Sequence, residues 1–266
     1  MDRIRGLAAA DDAAPAARAR RPAMIKLGVC GATGRMGVAA CRAIEADPDT
    51  ELLAAIGSSG SAEEFVEAGV DAVVDFTVAE AVRENHPVLS AAGVHAVIGT
   101  SGLGAADLDA LRAGFVRSHC IVAPNFALSA VLMARFAALA APFFDTAEVI
   151  EMHHERKTDA PSGTALATAE AMAEASPEWM PDPTASETLA GARGGRGPAG
   201  IPIHSVRLKG LVAHQQVMLG GAGETLTIRQ DTIDRSAFMP GMLVAAKRVV
   251  AMAPGVTVGL AEVLGI

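Results

Sequence analysis

The stretch Met24-Ile-Lys-Leu-Gly-Val-Cys-Gly31-Ala32-Thr33-Gly34-Arg35-Met36-Gly37 decides the fold. Residues 24–30 form a short apolar run suited to a strand buried on both faces of a parallel sheet. Glycines at 31, 34 and 37 follow where the strand ends, and residues 38–46 have helical composition. Such a turn lets the backbone approach a pyrophosphate, and the helix start offers it unpaired N–H donors. The spacing is Gly-x-x-Gly-x-x-Gly rather than Gly-x-Gly-x-x-Gly, so by itself it also describes a plain tight turn. Its position between a strand and a helix points to a dinucleotide site.

Outward from this turn, strands are expected at 51–56, 72–76, 95–98 and 119–123, with helices at 62–68, 79–92 and 107–115 between them. Strands alternating with helices at this pitch predict a Rossmann-type doubly wound parallel sheet. The pattern then changes to a helix at 130–141, a strand at 147–153 and a helix at 162–175. A Pro- and Gly-rich loop over 177–202 leads to extended runs at 201–208, 213–219 and 224–230, spaced as antiparallel strands would be, and a last helix at 239–251. The expected architecture is α/β: a dinucleotide domain of residues 24–127 and 238–266, and an α+β domain with an open mixed sheet over 128–237 that binds substrate. Residues 1–23, rich in Ala and Arg, read as a disordered extension, or as an upstream start before Met24.

The chain has 266 residues, enough for a full core, and its net charge of −8 argues against a general nucleic-acid surface. No apolar run approaches the ~18 residues of a membrane span. The three cysteines, Cys30, Cys41 and Cys120, form no Cys-x-x-Cys pair, which fits a reducing, cytoplasmic compartment.

At about twenty residues beyond the glycine turn, an NAD site ordinarily offers Asp or Glu to the adenosine ribose. Here the second strand ends in Ile56-Gly57-Ser58-Ser59-Gly60, without a carboxylate, and Arg35 stands in the glycine turn. Hydroxyls and a cation tolerate a 2′-phosphate, so NADPH is expected to be accepted at least as well as NADH. Asp75-Phe76-Thr77 and Gly99-Thr100-Ser101 fall at the ends of later strands, where such sheets bind ligands.

The chemistry is expected on Glu151-Met-His-His-Glu-Arg-Lys157. Alternation along a strand puts Val149, Glu151 and His153 on one face and Ile150, Met152 and His154 on the other. Adjacent histidines that point apart disfavour a shared metal, and no metal is expected. What remains is a histidine able to donate a proton near neutral pH and a lysine able to hold a carboxylate. Asp159-Ala-Pro-Ser-Gly-Thr164 then opens a helix, placing Ser162, Gly163 and Thr164 at an N-terminus that can receive a second carboxylate. Taken alone, these residues fit a reductase of a small anion. They leave open another two-domain dehydrogenase, such as an aspartate dehydrogenase, or a nucleotide sensor that has lost its chemistry.

The segment Glu151-Met-His-His-Glu-Arg-Lys-Thr-Asp-Ala-Pro-Ser-Gly-Thr164 resembles the signature of the 4-hydroxy-tetrahydrodipicolinate reductase (dihydrodipicolinate reductase) family of lysine and diaminopimelate biosynthesis. Gly-Ala-x-Gly-Arg-Met-Gly at 31–37, Val-Asp-Phe-Thr at 74–77, Gly-Thr at 99–100 and Ala-Pro-Asn-Phe at 123–126 extend the resemblance over most of residues 24–266. Residues 200–208 and the Gly-Glu-Thr-Leu-Thr-Ile-Arg ending at 229 resemble its actinobacterial form. The resemblance implies His153 as proton donor and Lys157 as catalytic cation. It also implies a grip on the dicarboxylate by His154, Lys157, Ser162, Gly163 and Thr164. It assigns NADPH or NADH to Gly31, Ala32, Thr33, Gly34, Arg35, Met36, Gly37, Phe76, Thr77, Gly99, Thr100, Ser101, Ala123, Pro124, Asn125 and Phe126, and implies a homotetramer. Two departures stand out. Many relatives carry an acidic residue at the position of Gly57, and Ser101 replaces the second threonine of the usual Gly-Thr-Thr.

Overall fold

The computed structural model describes residues 24–266; the extension expected over 1–23 lies outside the described residues. Six parallel strands make the first sheet: β1 (Ile25–Cys30), β2 (Thr50–Ile56), β3 (Ala72–Asp75), β4 (His95–Ile98), β5 (His119–Val122) and β11 (Gly255–Val258). Their spatial order is β11-β5-β4-β3-β1-β2. Alternate strand residues feed two apolar layers. Leu27, Val29, Val74, Val97 and Ile121 pack on α1 (Arg35–Ala46) and α7 (Met239–Val249). Val73, Ala96, Ile98 and Cys120 pack on Phe65, Leu89, Leu111 and Phe115 from α2 (Glu63–Ala68), α3 (Ala79–Ala92), α4 (Ala105–Gly114) and the residue after it. Burial on both faces is why these strands read as continuous apolar runs.

The second sheet holds β6 (Thr146–His153), β7 (Gly195–Arg196), β8 (Pro202–Arg207), β9 (Ala213–Gly221) and β10 (Glu224–Thr232), in the order β10-β9-β6-β8-β7. One face packs on α5 (Leu128–Ala140) and α6 (Gly163–Ala175) through Val149, Val217, Leu219, Ala137, Ala169 and Met172. The runs from 201 onward are not all antiparallel, as their spacing suggests. β8 lies parallel beside β6, with His153 opposite Arg207, while β9 runs antiparallel on the other side. A parallel pair needs a long crossover, and α6 with the loop after it supplies one.

The end of the chain also exceeds what its sequence shows. Gly255–Val258 adds a sixth strand beside β5, and α8 (Leu260–Leu264) follows it. A strand of four residues has too few alternations to stand out against the preceding helix. No helix among the described residues is long and apolar enough to cross a membrane.

Candidate active site

The glycine turn leaves β1 at Gly31, whose φ of +79° is a left-handed conformation that side chains resist. Gly31 and Ala32 each donate a backbone N–H to Ile56 O at 2.9 Å, which ties the turn to the end of β2. A Cβ on Gly37 would lie 2.1 Å from Gly31 O, so only glycine lets the first turn of α1 close this tightly on the strand end. Gly34 caps α1, and the N–H groups of Arg35 and Met36 have no partner within the helix. This is a cradle for an anion. Gly57 sits against it: a Cβ there would be 3.0 Å from Thr33 Cγ2.

Strand ends continue the same edge. The Phe76 and Phe126 rings meet edge to face at 5.7 Å, and a Cβ on Gly99 would strike both. Thr77 and Thr100 each donate a hydroxyl to Asp75 Oδ1, at 2.6 and 3.2 Å. These turns leave β3, β4 and β5 at their C-terminal ends, where doubly wound sheets bind dinucleotides. The groups present therefore fit a nicotinamide nucleotide, which the α1 start and the turns at Phe76, Gly99 and Phe126 would hold.

The second sheet contributes a buried carboxylate and a histidine paired with it. Glu151 is fully buried on the inner face of β6. Its carboxylate accepts from Arg207 twice, Nη2 to Oε1 at 2.8 Å and Nη1 to Oε2 at 2.9 Å. It also accepts from the Ser162 N–H at 3.2 Å. Burial alone would raise its pKa, but Arg207, with Ser205 and His153, outweighs that and holds the carboxyl below its usual range. An ionised acceptor fixes the histidine beside it. His153 Nδ1 lies 2.5 Å from Glu151 Oε2 and must carry the proton, which leaves Nε2 as the nitrogen free to react.

Burial presses the His153 pKa down; Glu151 pulls it up, and the charges of Lys157 and Arg207 push down again. The net shift is downward. A dianion bound beside these cations would reverse their part of the shift and favour the imidazolium.

Lys157 Nζ meets both oxygens of Asp159, at 2.8 and 2.7 Å. Arg207 Nη2 reaches back to Asp159 O at 2.6 Å, so one guanidinium braces both the histidine's partner and the loop that carries the lysine. Ser162 caps α6 by accepting from Ala165 N at 3.2 Å. The next two N–H groups, of Gly163 and Thr164, lie before the first intrahelical donor and remain open to a ligand.

A cleft of about 630 Å³ is lined by His153, Lys157, Ser162, Gly163 and Thr164, with Ser101, Pro124 and Asn125 from the first sheet. Asn125 Nδ2 donates to Thr164 Oγ1 at 3.4 Å across this junction. A smaller cavity of about 180 Å³ adjoins it, sharing His153, Asn125 and Thr164 and adding Gln215 and Gln230. His154 lines neither; its Nδ1 accepts from Arg156 N at 3.2 Å on the turn after β6. Among the described residues, no group of three or more His, Cys, Asp or Glu is placed to hold a metal ion.

Sequence reasoning passed over Glu151, Asp159 and Arg207 as site residues. Glu151 was within reach, since alternation already placed it on the face of His153. Arg207 becomes visible only through the parallel register of β8.

Residues 25–126 match the family profile described as "Dihydrodipicolinate reductase, N-terminus", and residues 129–264 match "Dihydrodipicolinate reductase, C-terminus". The 4-hydroxy-tetrahydrodipicolinate reductase of Nocardia farcinica is 49% identical over 243 residues, covering 89% of this chain and 97% of that protein. The enzyme of the same name from Corynebacterium urealyticum is 46% identical over 250 residues, covering 91% of this chain and all of its own length. Among solved structures, the dipicolinate-bound dihydrodipicolinate reductase of Paenisporosarcina sp. superposes with a TM-score of 0.79 at 36% identity, covering 90% of this chain and 99% of that one.

Proposed function

Since this chain belongs to the dihydrodipicolinate reductase family, an NAD(P)H-dependent oxidoreductase family of lysine and diaminopimelate biosynthesis, we propose that it reduces 4-hydroxy-tetrahydrodipicolinate to tetrahydrodipicolinate with His153 as proton donor. The observation that carries this reading is the convergence in one cleft of a histidine held by a buried carboxylate, a lysine, and an open helix start. The first suits protonation of carbon; the other two suit the two carboxylates of a cyclic substrate. Held by residues 31–37 and the turns at Phe76, Gly99 and 123–126, a nicotinamide nucleotide would supply hydride for C4 of the conjugated imine left when the substrate loses water, and His153 Nε2 delivers the proton to the neighbouring carbon. Glu151 stabilises the imidazolium before transfer and fixes the ring afterwards. Lys157 takes one carboxylate, exchanging Asp159 for it, and the Ser162 hydroxyl with the Gly163 and Thr164 N–H groups takes the other. His154 belongs to this grip only by family resemblance.

Residues 24–127 with 238–266 act as the nucleotide domain, and 128–237 as the substrate domain. The nucleotide lies on residues 31–37, Phe76, Thr77, Gly99, Thr100, Ser101 and 123–126. With no carboxylate at Gly57 and Arg35 in the turn, NADPH serves at least as well as NADH. The enzyme works in the cytoplasm as a homotetramer. The outer face of the second sheet supports that assembly, since Ile150 and Met152 are only half-buried there and Val206, paired with Met152, is exposed.

The test is a steady-state assay on substrate generated in situ by the preceding synthase, with NADPH and with NADH, alongside a titration of 2,6-pyridinedicarboxylate. Turnover and competitive inhibition by the planar dicarboxylate are expected. Turnover of aspartate with NAD(P)⁺ instead, or nucleotide binding with indifference to the dicarboxylate, would contradict the reading.

A further inference from the structure

Behind the nucleotide edge, Asp75 at the end of β3 is fully buried, and His86 of α3 beneath it is 1% exposed. Both carboxylate oxygens are engaged. Oδ1 accepts from the Thr77 backbone N–H at 2.8 Å, the Thr77 hydroxyl at 2.6 Å and the Thr100 hydroxyl at 3.2 Å. Oδ2 meets His86 Nε2 at 2.8 Å. One carboxylate thus knots together the turns that leave two neighbouring strands, and the histidine balances it from the far side.

The other ring nitrogen, His86 Nδ1, is buried and has no hydrogen-bond partner. A leucine would fill the same space without leaving a buried polar atom unpaired, so packing alone does not account for the imidazole. What the ring adds is its single bond to Asp75. Without that donor Oδ2 is left buried with no partner, whether it keeps the charge or takes up a proton that nothing accepts, and the carboxylate is no longer held from that side. Free to turn toward another donor, it carries with it the Oδ1 contacts that tie the Thr77 and Thr100 turns together.

We propose that His86 is a positioning residue for nucleotide binding, setting the Thr77 and Thr100 turns through Asp75. This rests on reading those turns as nucleotide contacts. A surface cleft of about 390 Å³ between α3 and α4, lined by His86, Val82, Ser90, Leu111 and Phe115, gives the test its handle, because it can admit free imidazole.

NADPH is titrated into the full-length wild type, His86→Ala, His86→Leu and His86→Gln, with 2,6-pyridinedicarboxylate titrated in parallel. The Ala and Leu variants are expected to weaken NADPH roughly tenfold, the loss of one buried charge-assisted contact. Their dicarboxylate affinity stays at the wild-type value. Millimolar imidazole restores NADPH binding to the Ala variant, and Gln, which keeps a donor, binds as the wild type does. Equal NADPH affinity across the set overturns the proposal. So does a loss shared equally by both ligands and unmoved by imidazole, which marks a merely structural role. Should Thr77→Val and Thr100→Val both leave NADPH binding intact, the reading of the turns fails first and the inference falls with it.

Discussion

Glu151 Oε2 and His153 Nδ1 face each other at 2.5 Å from alternate positions of one strand, and the carboxylate is held from behind by both terminal nitrogens of Arg207. A fully buried carboxylate so placed has two effects. It makes Nδ1 the protonated nitrogen, and it stabilises the imidazolium form of the ring.

Replacing Glu151 by Gln keeps the shape and removes the charge. The ring loses its orienting acceptor and Arg207 loses its counter-ion, so kcat should fall about a hundredfold, a typical scale for a general acid left without its partner. Truncation to Ala should also cost about 3–5 kcal/mol of stability, because it leaves a guanidinium without its buried partner. Steady-state kinetics and denaturant unfolding check both; unchanged kcat in Glu151→Gln would remove the carboxylate from the mechanism.

On the proposed role of His153 the imidazolium is the donating form, so activity falls as pH rises through its pKa. Burial, aided by Lys157 and Arg207 and opposed by Glu151, puts that pKa below the ordinary 6.5 in the free protein. The fall in kcat/KM, which reports the free enzyme, is therefore expected below pH 6.5. The fall in kcat, which reports the complex, is expected at higher pH, because the bound dicarboxylate offsets the two cations. Coincident limbs in the two profiles would contradict this.

Asp159 pairs with Lys157, the proposed partner of a substrate carboxylate, but its side chain is 60% exposed, and an ion pair this open is worth only about 0–1 kcal/mol. Asp159→Asn should therefore lower the substrate KM by no more than about fivefold. Lys157→Ala, by contrast, should damage kcat and KM together. If Asp159→Asn raised KM by an order of magnitude, the aspartate would be holding the lysine in place rather than competing for it.

Introducing a carboxylate at Gly57 tests the nucleotide reading. The new Cβ would press on Thr33 Cγ2 at 3.0 Å, which a small shift of that exposed side chain relieves. Gly57→Asp should repel a 2′-phosphate and accept from a ribose hydroxyl, moving the NADH/NADPH ratio of kcat/KM by about tenfold or more toward NADH. No movement in the ratio would place the adenosine ribose elsewhere.

Much of this was legible in the sequence because local chemistry and tertiary structure agree. The apolar runs with glycine and hydroxyl turns set out the first sheet. Ser162 before an alanine-rich stretch marked the start of α6, and period-two alternation separated His153 from His154. Arg207 was not legible, since its role comes from a parallel pairing between strands separated by a helix and a long loop, and the local spacing favoured an antiparallel one. Asp159 reads as part of a loop, and only the fold shows it closed on Lys157.

The central claim is that His153 donates the proton, and single-site kinetics test it most directly. For His153→Ala, kcat with synthase-generated substrate should fall by about two orders of magnitude or more while the Kd for NADPH stays within error of the wild type. A His153→Ala enzyme that turns over at near-normal kcat would contradict the account.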